Sequence, residues 1–129
     1  MITLSFLKLL EDEGFGTIDV DLFFQKLTLD KTGIYIADIG DPISRGSRMT
    51  QSFELLARGN TDVDGYKKLV DIINWMKNNY SNVCSLPPVP PITATGYNNV
   101  TMLPLSTITN VGLDGNNRII YSLQGQIIL

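Results

Sequence analysis

Two stretches of the chain repeat apolar residues with the period of an α-helix. Between residues 62 and 80 the apolar positions recur every three or four residues, which predicts an amphipathic helix capped by Thr61 or Asp62. A shorter stripe near the start predicts a first helix, capped by Thr3 and closed at Gly14. The apolar positions of the two helices are Phe6, Leu7, Leu9, Leu10, Tyr66, Leu69, Ile73, Met76 and Tyr80.

Other stretches alternate apolar and polar residues or are rich in β-branched and aromatic residues, as strands are. Gln51 interrupts the apolar face of one of them, and Pro104 confines another to an edge position or a bulge because proline donates no hydrogen bond. The closing strand is predicted to pair with the strand before it through the Asp114–Gly115 turn. The predicted strands cover residues 33–39, 48–58, 97–110 and 119–129.

Turn-forming residues mark the connections between these elements. Residues 40–48 ("GDPISRGSR") read as a loop, and residues 111–117 ("VGLDGNN") read as a turn. Residues 17–32 are ambiguous and are compatible with an extended segment. The prolines of residues 87–91 exclude regular hydrogen bonding, so a structural connection is favoured there over a ligand for a proline-binding domain.

The order of elements predicts an α+β fold in a single domain, residues 1–129. Neighbouring strands with short links pair antiparallel most often, so we expect a mainly antiparallel sheet of about four to five strands. Two amphipathic helices then pack on one face of that sheet. The other face is predicted to be polar but weakly charged, with Ile120 and Ile128 as apolar exceptions. Its polar residues are Arg48, Thr50, Ser52, Glu54, Arg58, Ser122, Gln124 and Gln126.

Composition narrows the classes of partner. The formal net charge is −3, which argues against nucleic-acid binding through bulk charge, because such binding needs a basic surface. No apolar run approaches the length of a transmembrane span, and the first residues lack the basic segment of a signal peptide. The single cysteine, Cys84, favours a reduced, intracellular history.

Catalytic chemistry has little support in the sequence. There is no histidine, and no glycine-rich phosphate-binding motif is present. The pairs Asp19/Asp21 and Asp62/Asp64 offer oxygen ligands of the kind that calcium takes, but neither pair lies in a known loop pattern. A solvated strand face explains the first pair, and helix capping explains the second. We therefore expect no enzyme activity, no metal and no cofactor.

Three stretches carry a resemblance to a known family. They are "GIYIADIGDPISRGSRMTQSFELLARG", the helical "DVDGYKKLVDIINWMKNNY", and "GLDGNNRIIYSLQGQIIL". The last of these is similar to a Gly-x-Asp-x-x-x-Arg turn that leads into a closing strand. By their order and spacing the three stretches, which cover residues 33–80 and 110–129, resemble the small tail-terminator and minor capsid proteins of long-tailed bacteriophages.

The resemblance implies a structural role. Proteins of that family form a ring, typically hexameric, on the head-proximal end of the tail tube, where they stop polymerisation and receive the head connector. This implies three partners: other copies of this chain, the tail tube protein, and a head-completion or connector protein. It implies a place in the virion after assembly in the host cytoplasm. The predicted contact residues are Asp41, Arg45, Arg48, Thr50, Ser52, Arg118, Ile120, Gln124, Gln126 and Ile128.

Three other readings stay open at this point. The chain is alternatively a head-completion or minor capsid connector protein, on the other side of the same joint. It is alternatively a small cellular binding module of α+β type. An enzyme that uses the aspartate pairs with a metal is the third reading, and the absence of histidine and of phosphate-binding loops weighs against it.

Overall fold

The computed structural model describes residues 2–25, 31–79, 84–92, 95–115 and 117–129. Tyr80 and residues 26–30 of the ambiguous stretch therefore lie outside the described residues. Two helices and seven strands form there, an α+β architecture. The elements are α1 (Ile2–Asp12), β1 (Leu22–Phe24), β2 (Gly33–Arg45), β3 (Arg48–Arg58), α2 (Asp62–Asn79), β4 (Cys84–Leu86), β5 (Tyr97–Pro104), β6 (Thr109–Leu113) and β7 (Ile119–Ile128). Neither helix has the length and apolarity needed to cross a bilayer.

The strands form one mixed sheet in the order β1-β2-β3-β7-β5-β4. The closing strand β7 lies inside this sheet, with β3 antiparallel along one edge. Its other edge is shared by two strands, since β5 pairs with the end of β7 and β6 pairs with its beginning. Pairing of the closing strand with the residues before it is therefore confirmed, and β3 is a second neighbour that the sequence did not predict.

Both helices pack on the same face of the sheet. Phe6 of α1 contacts Phe53 of β3 at a ring-centroid distance of 5.0 Å and Trp75 of α2 at 6.4 Å. These three side chains join the two helices to the central strands in one apolar core. Burial of aromatic surface of this size is the main favourable term that holds such layers together.

The helix predictions hold with local corrections. Helix α2 covers the predicted range up to Asn79, and Thr61 caps it by accepting a hydrogen bond from the Asp64 N–H (3.3 Å). Tyr66, which we placed in the core stripe, is 47% exposed and packs edge-on against Tyr121 of β7. Thr3 is not the cap of α1, because the helix already includes residue 2 and the Thr3 side chain is buried.

The sheet has more strands than the predicted four to five. The short β1 arises from the ambiguous stretch and pairs parallel with β2, whereas the other described pairs are antiparallel. Residues 111–113 are part of β6 rather than a turn, because their backbone pairs with the first residues of β7. Pro104 is the last residue of β5, a position that needs no further hydrogen-bond donor.

The predicted loop of residues 40–48 is mostly strand. Strand β2 continues to residue 45 and returns as β3 through a two-residue turn at Gly46 and Ser47, with Gly46 at φ +62° as such turns favour. A bulge interrupts the ladder between Ile39 and Ile43 and accommodates the proline there. Gln51 is buried opposite this bulge and donates to the Gly40 carbonyl (3.2 Å), which explains its place on the apolar face.

Gly125 leaves room for the Phe53 ring at the point where β7 pairs with β3. It lies directly opposite Phe53 in the pairing of β3 with β7. A Cβ atom at this position would lie 2.6 Å from the Phe53 ring and 2.9 Å from the Leu103 carbonyl oxygen. Gly125→Ala therefore forces the core apart, and we expect a loss of about 1–3 kcal/mol in the free energy of unfolding, measured by urea denaturation.

Gln124→Ala is the matched control for this prediction. Gln124 is the preceding residue of the same strand, and its side chain is exposed. Its truncation is expected to change the free energy of unfolding by no more than about 0.5 kcal/mol. Equal losses for the two variants would contradict the assigned contact between residue 125 and the Phe53 ring.

Candidate interaction surfaces

The sheet face turned away from the helices carries a compact group of polar residues. Thr50 lies directly opposite Ile128, and the next pair on this face is Ser52 opposite Gln126. Glu54 follows, opposite Gln124. These side chains are exposed or half-buried, whereas the alternate residues of β3 are buried in the core. We call this group of six residues the open face.

Apolar residues extend the open face on several sides. The alternation of β2 places Ile39 and Ile43 beside Ser52 and Thr50, and these two isoleucines are 41% and 58% exposed. Leu103 of β5 lies next to Gln126 on the far side and is half-buried. Uncharged polar groups interleaved with partly exposed apolar side chains are compatible with packing against another protein.

The tip of the hairpin formed by β2 and β3 extends past the end of β7, whose ladder with β3 ends at Thr50. Every residue from 38 to 48 is exposed, and β1 covers β2 only as far as Ile36. We call residues 38–48 the arm. Arg45 and Arg48 lie directly opposite each other at its tip, and Asp41 lies in the bulge at its base. All three predicted contact residues are thus on the surface, on a strand hairpin instead of a loop.

A buried ion cluster closes the opposite end of the open face. Asp114 pairs with Arg58 of β3 (3.2 Å between Oδ2 and Nη1) and with Arg118 (3.0 Å between Oδ2 and Nε). The side chains of Arg58 and Asp114 are only 5% and 3% exposed. Arg58 also donates from Nε to the Lys31 carbonyl (3.1 Å), so the cluster links three segments of the chain.

The same cluster explains the Gly-x-Asp-x-x-x-Arg spacing at residues 112–118. Asp114 Oδ1 accepts the Arg118 backbone N–H (2.9 Å), and the Asp114 N–H donates to the Arg118 carbonyl (2.9 Å). One carboxylate thereby closes the turn between β6 and β7 and holds it against β3. Arg118, a predicted contact residue, is about one-fifth exposed and directs its guanidinium to this internal carboxylate.

Two residues predicted to be exposed are buried. Arg58 contacts the Asp114 carboxylate and the Lys31 carbonyl. Ser122 is buried and donates its hydroxyl to Glu54 Oε1 (2.6 Å). The alternation of apolar and polar residues assigns each side chain to one face of a strand. It does not show whether another segment of the chain covers that face.

Burial also changes the acidity of groups at this end of the face. The pKa of the Tyr35 hydroxyl is raised, first by burial and then by the nearby negative charge of Glu54. The pKa of the Arg58 guanidinium is lowered, first by burial and then by the charge of Arg118, against the attraction of Asp114. In both cases burial is the main cause and disfavours the charged form of the side chain.

Two clefts among the described residues lie away from these surfaces. A cleft of about 360 Å³ lies between the start of α2 and the start of β2, and its charged residues include Lys67 and Asp71, which pair with each other (3.2 Å). A shallow groove of about 560 Å³ separates the end of α1 from Pro87 and Pro88. Among the residues that the structure describes, no three histidine, cysteine or carboxylate side chains converge to hold a metal.

Comparisons with known proteins add no identification. No protein-family model matches the chain, and no curated protein matches it significantly. The functional argument therefore depends on the surfaces described above.

We predict that a conservative substitution in the buried cluster lowers the stability of the protein strongly. Asp114→Asn keeps the shape of the side chain and an acceptor for the Arg118 N–H, but it removes the charge that Arg58 faces. Leaving a buried cation uncompensated costs about 3–5 kcal/mol in the free energy of unfolding, which thermal and urea denaturation measure.

Asp71→Asn provides the matched control, because Asp71 pairs with Lys67 on the exposed surface of α2. Exposed pairs contribute little, so we expect a change of about 0.5 kcal/mol or less. If the two substitutions destabilise the protein equally, the cluster at Asp114 does not hold the sheet in the way argued above.

Proposed function

We propose that this chain is a structural protein of a long-tailed bacteriophage that caps the head-proximal end of the tail tube. The observation that carries the proposal is the open face together with the projecting arm. They adjoin at Ile43, which lies opposite Thr50, and together they give one small chain a continuous surface suited to protein contacts. The three stretches of sequence that resemble tail-terminator proteins include both surfaces.

The mechanism is capping through interfaces. Copies of the chain form a closed ring, which we propose to be a hexamer, through contacts between unlike surfaces of neighbouring subunits. One side of the ring covers the last ring of tube protein and so prevents addition of the next. The other side receives the head-completion or connector protein. No bond is made or broken in this process, so the chain acts without a catalytic residue or cofactor.

The character of the open face supports such contacts. Thr50, Ser52, Gln124 and Gln126 are uncharged, so covering them costs less desolvation free energy than covering charged groups. Their amides and hydroxyls offer both donors and acceptors to a partner. Ile128 and Ile43 add apolar area on the same face. A surface of this kind packs against protein readily and attracts nucleic acid poorly.

Tail assembly without this chain tests the proposal. Tubes assembled in its absence are expected to exceed the normal length and to remain without heads, since nothing stops polymerisation or receives the connector. Electron microscopy measures both the length distribution and head attachment. Addition of the purified chain to such an assembly should restore uniform, head-bearing tails.

Two results would count against the proposal. Tubes of uniform length with heads attached would remove the terminator role entirely. Tubes of uniform length that lack heads would place the chain on the head side of the joint, as a head-completion or connector protein.

A further inference from the structure

The tip of the arm holds an unfavourable arrangement of charge. Arg45 and Arg48 face each other directly across the two-residue turn, and both are exposed. Like charges in such a pair destabilise a hairpin. Within the described residues neither arginine forms an ion pair. Ile43, 58% exposed, lies on the same face of the arm. An acidic partner with an apolar residue beside its charges would relieve this repulsion and cover the isoleucine.

A surface with those properties lies on a tight turn before β1. Val20 is 65% exposed and stands between two aspartates, Asp19 and Asp21. The Thr17 carbonyl accepts the N–H groups of residues 20, 21 and 22 at 3.0–3.1 Å, and the Asp19 N–H donates to the Leu22 carbonyl (2.8 Å). We call Asp19, Val20 and Asp21 the acidic knob. These hydrogen bonds hold the backbone of the knob in the turn without any contribution from a partner.

A further carboxylate stands behind the knob. Glu11 of α1 accepts a hydrogen bond from the Ile18 N–H (2.7 Å), which ties the turn to the end of the helix. The pKa of Glu11 is lowered, first by the hydrogen bond from Lys8 and then by the one from Ile18, so Glu11 remains charged near neutral pH. Glu11 is paired with Lys8 (2.7 Å), so the negative charge of the knob comes from Asp19 and Asp21.

The knob and the tip lie at opposite ends of β2. The Asp21 carbonyl accepts the Ile34 N–H (2.9 Å), which places the knob at the first residues of that strand. Ile34 pairs with Ala57 and Arg45 pairs with Arg48, so the regular strand β3 spans this distance in nine residues, and about 30 Å separate the knob from the tip. The basic and acidic surfaces cannot meet within one molecule, and only a second copy brings them together.

We propose that the arm tip of one copy binds the acidic knob of the next. Arg45 and Arg48 face the two aspartates, and Ile43 packs beside Val20. The contact joins unlike surfaces, so repeated addition either closes into a ring or continues as a filament. The inference rests on the proposed function in one respect, that copies of this chain assemble with one another, and it names the surfaces through which they do so.

Complementary charge reversal tests this pairing. The first variant, Arg45→Glu/Arg48→Glu, makes the tip acidic. The second, Asp19→Asn/Val20→Lys/Asp21→Asn, makes the knob basic. Asparagine tolerates the positive φ (+70°) of residue 19, and at residue 21 it keeps the side-chain oxygen that accepts the Thr17 N–H. Sedimentation velocity at low salt follows the association of each variant and of the equimolar mixture.

We expect wild-type chains to associate at low salt and to separate as salt rises. Each variant alone is expected to bind itself at least about tenfold more weakly, because its tip and knob carry the same sign of charge. The mixture is expected to associate again, since each variant's tip then opposes the other's knob. Wild-type chains that remain monomeric at low salt, or a mixture that does not associate, would overturn the proposal.

Lys67→Glu/Lys77→Glu is the control for net charge. It changes two exposed cations of α2 and shifts the net charge by the same amount as reversal of the tip. Association of this control should match that of the wild type, and a loss equal to that of the tip variant would attribute the effect to bulk charge. Circular dichroism melts verify that all variants fold.

The charge-reversal experiment and the tail-assembly experiment can fail independently of each other. If purified wild-type chain restores uniform tails but the charge-reversed mixture does not associate, the capping role stands and the pairing of tip with knob is wrong. If the mixture associates but tails form normally without the chain, the pairing stands and the capping role is wrong. An acidic partner other than a second copy would appear as loss of tail binding by the tip variant with no recovery in the mixture.

Discussion

The backbone ladders of β7 set the position of every other strand. Strands β3, β5 and β6 bond to it directly, β2 and β4 follow through β3 and β5, and β1 follows through β2. Two side-chain features maintain these ladders. Gly125 leaves room for the Phe53 ring inside the core, and Asp114 ties the start of β7 to Arg58 of β3. The first concerns apolar packing and the second a desolvated charge, so their contributions to stability respond to different substitutions.

The two ends of β2 use charge in contrasting ways. Near its start, Asp114 compensates buried Arg58, and the result is internal cohesion. At its far end, Arg45 and Arg48 oppose each other in solvent, and the chain gains no cohesion from them. In the proposed pairing of copies, the same charges face the aspartates of a neighbouring subunit. The hydrophobic core needs nothing from the arm, which leaves the arm free to carry a contact.

The apolar periodicity of the sequence predicted those elements whose conformation depends on their own residues. Its predictions were less accurate where the conformation or burial of a residue depends on contacts with another segment. Helix α2, strand β3 and strand β7 came close to their observed ranges because each has a long apolar stripe. Residues 40–48 of the arm were predicted as a loop because Gly40 and Pro42 are usually turn residues, yet the bulge and the Gln51 amide accommodate them within a strand. The open face was predicted residue by residue, whereas burial of Ser122 was not, because it depends on tertiary cover.

The edges of the sheet carry a further constraint. Beyond Ile36 the outer edge of β2 has no neighbour among the described strands, and a long unpaired edge invites uncontrolled pairing with other chains. The bulge at residues 40–42 and Pro42 within it interrupt this edge, which limits indiscriminate strand addition while leaving the tip accessible. Because the edge of the arm is interrupted and its charged tip is accessible, the arm favours contacts through side chains over strand addition. Such a contact depends on the sign of charge on its partner, and selectivity of that kind is what an assembly built from identical subunits needs to add each copy in one orientation.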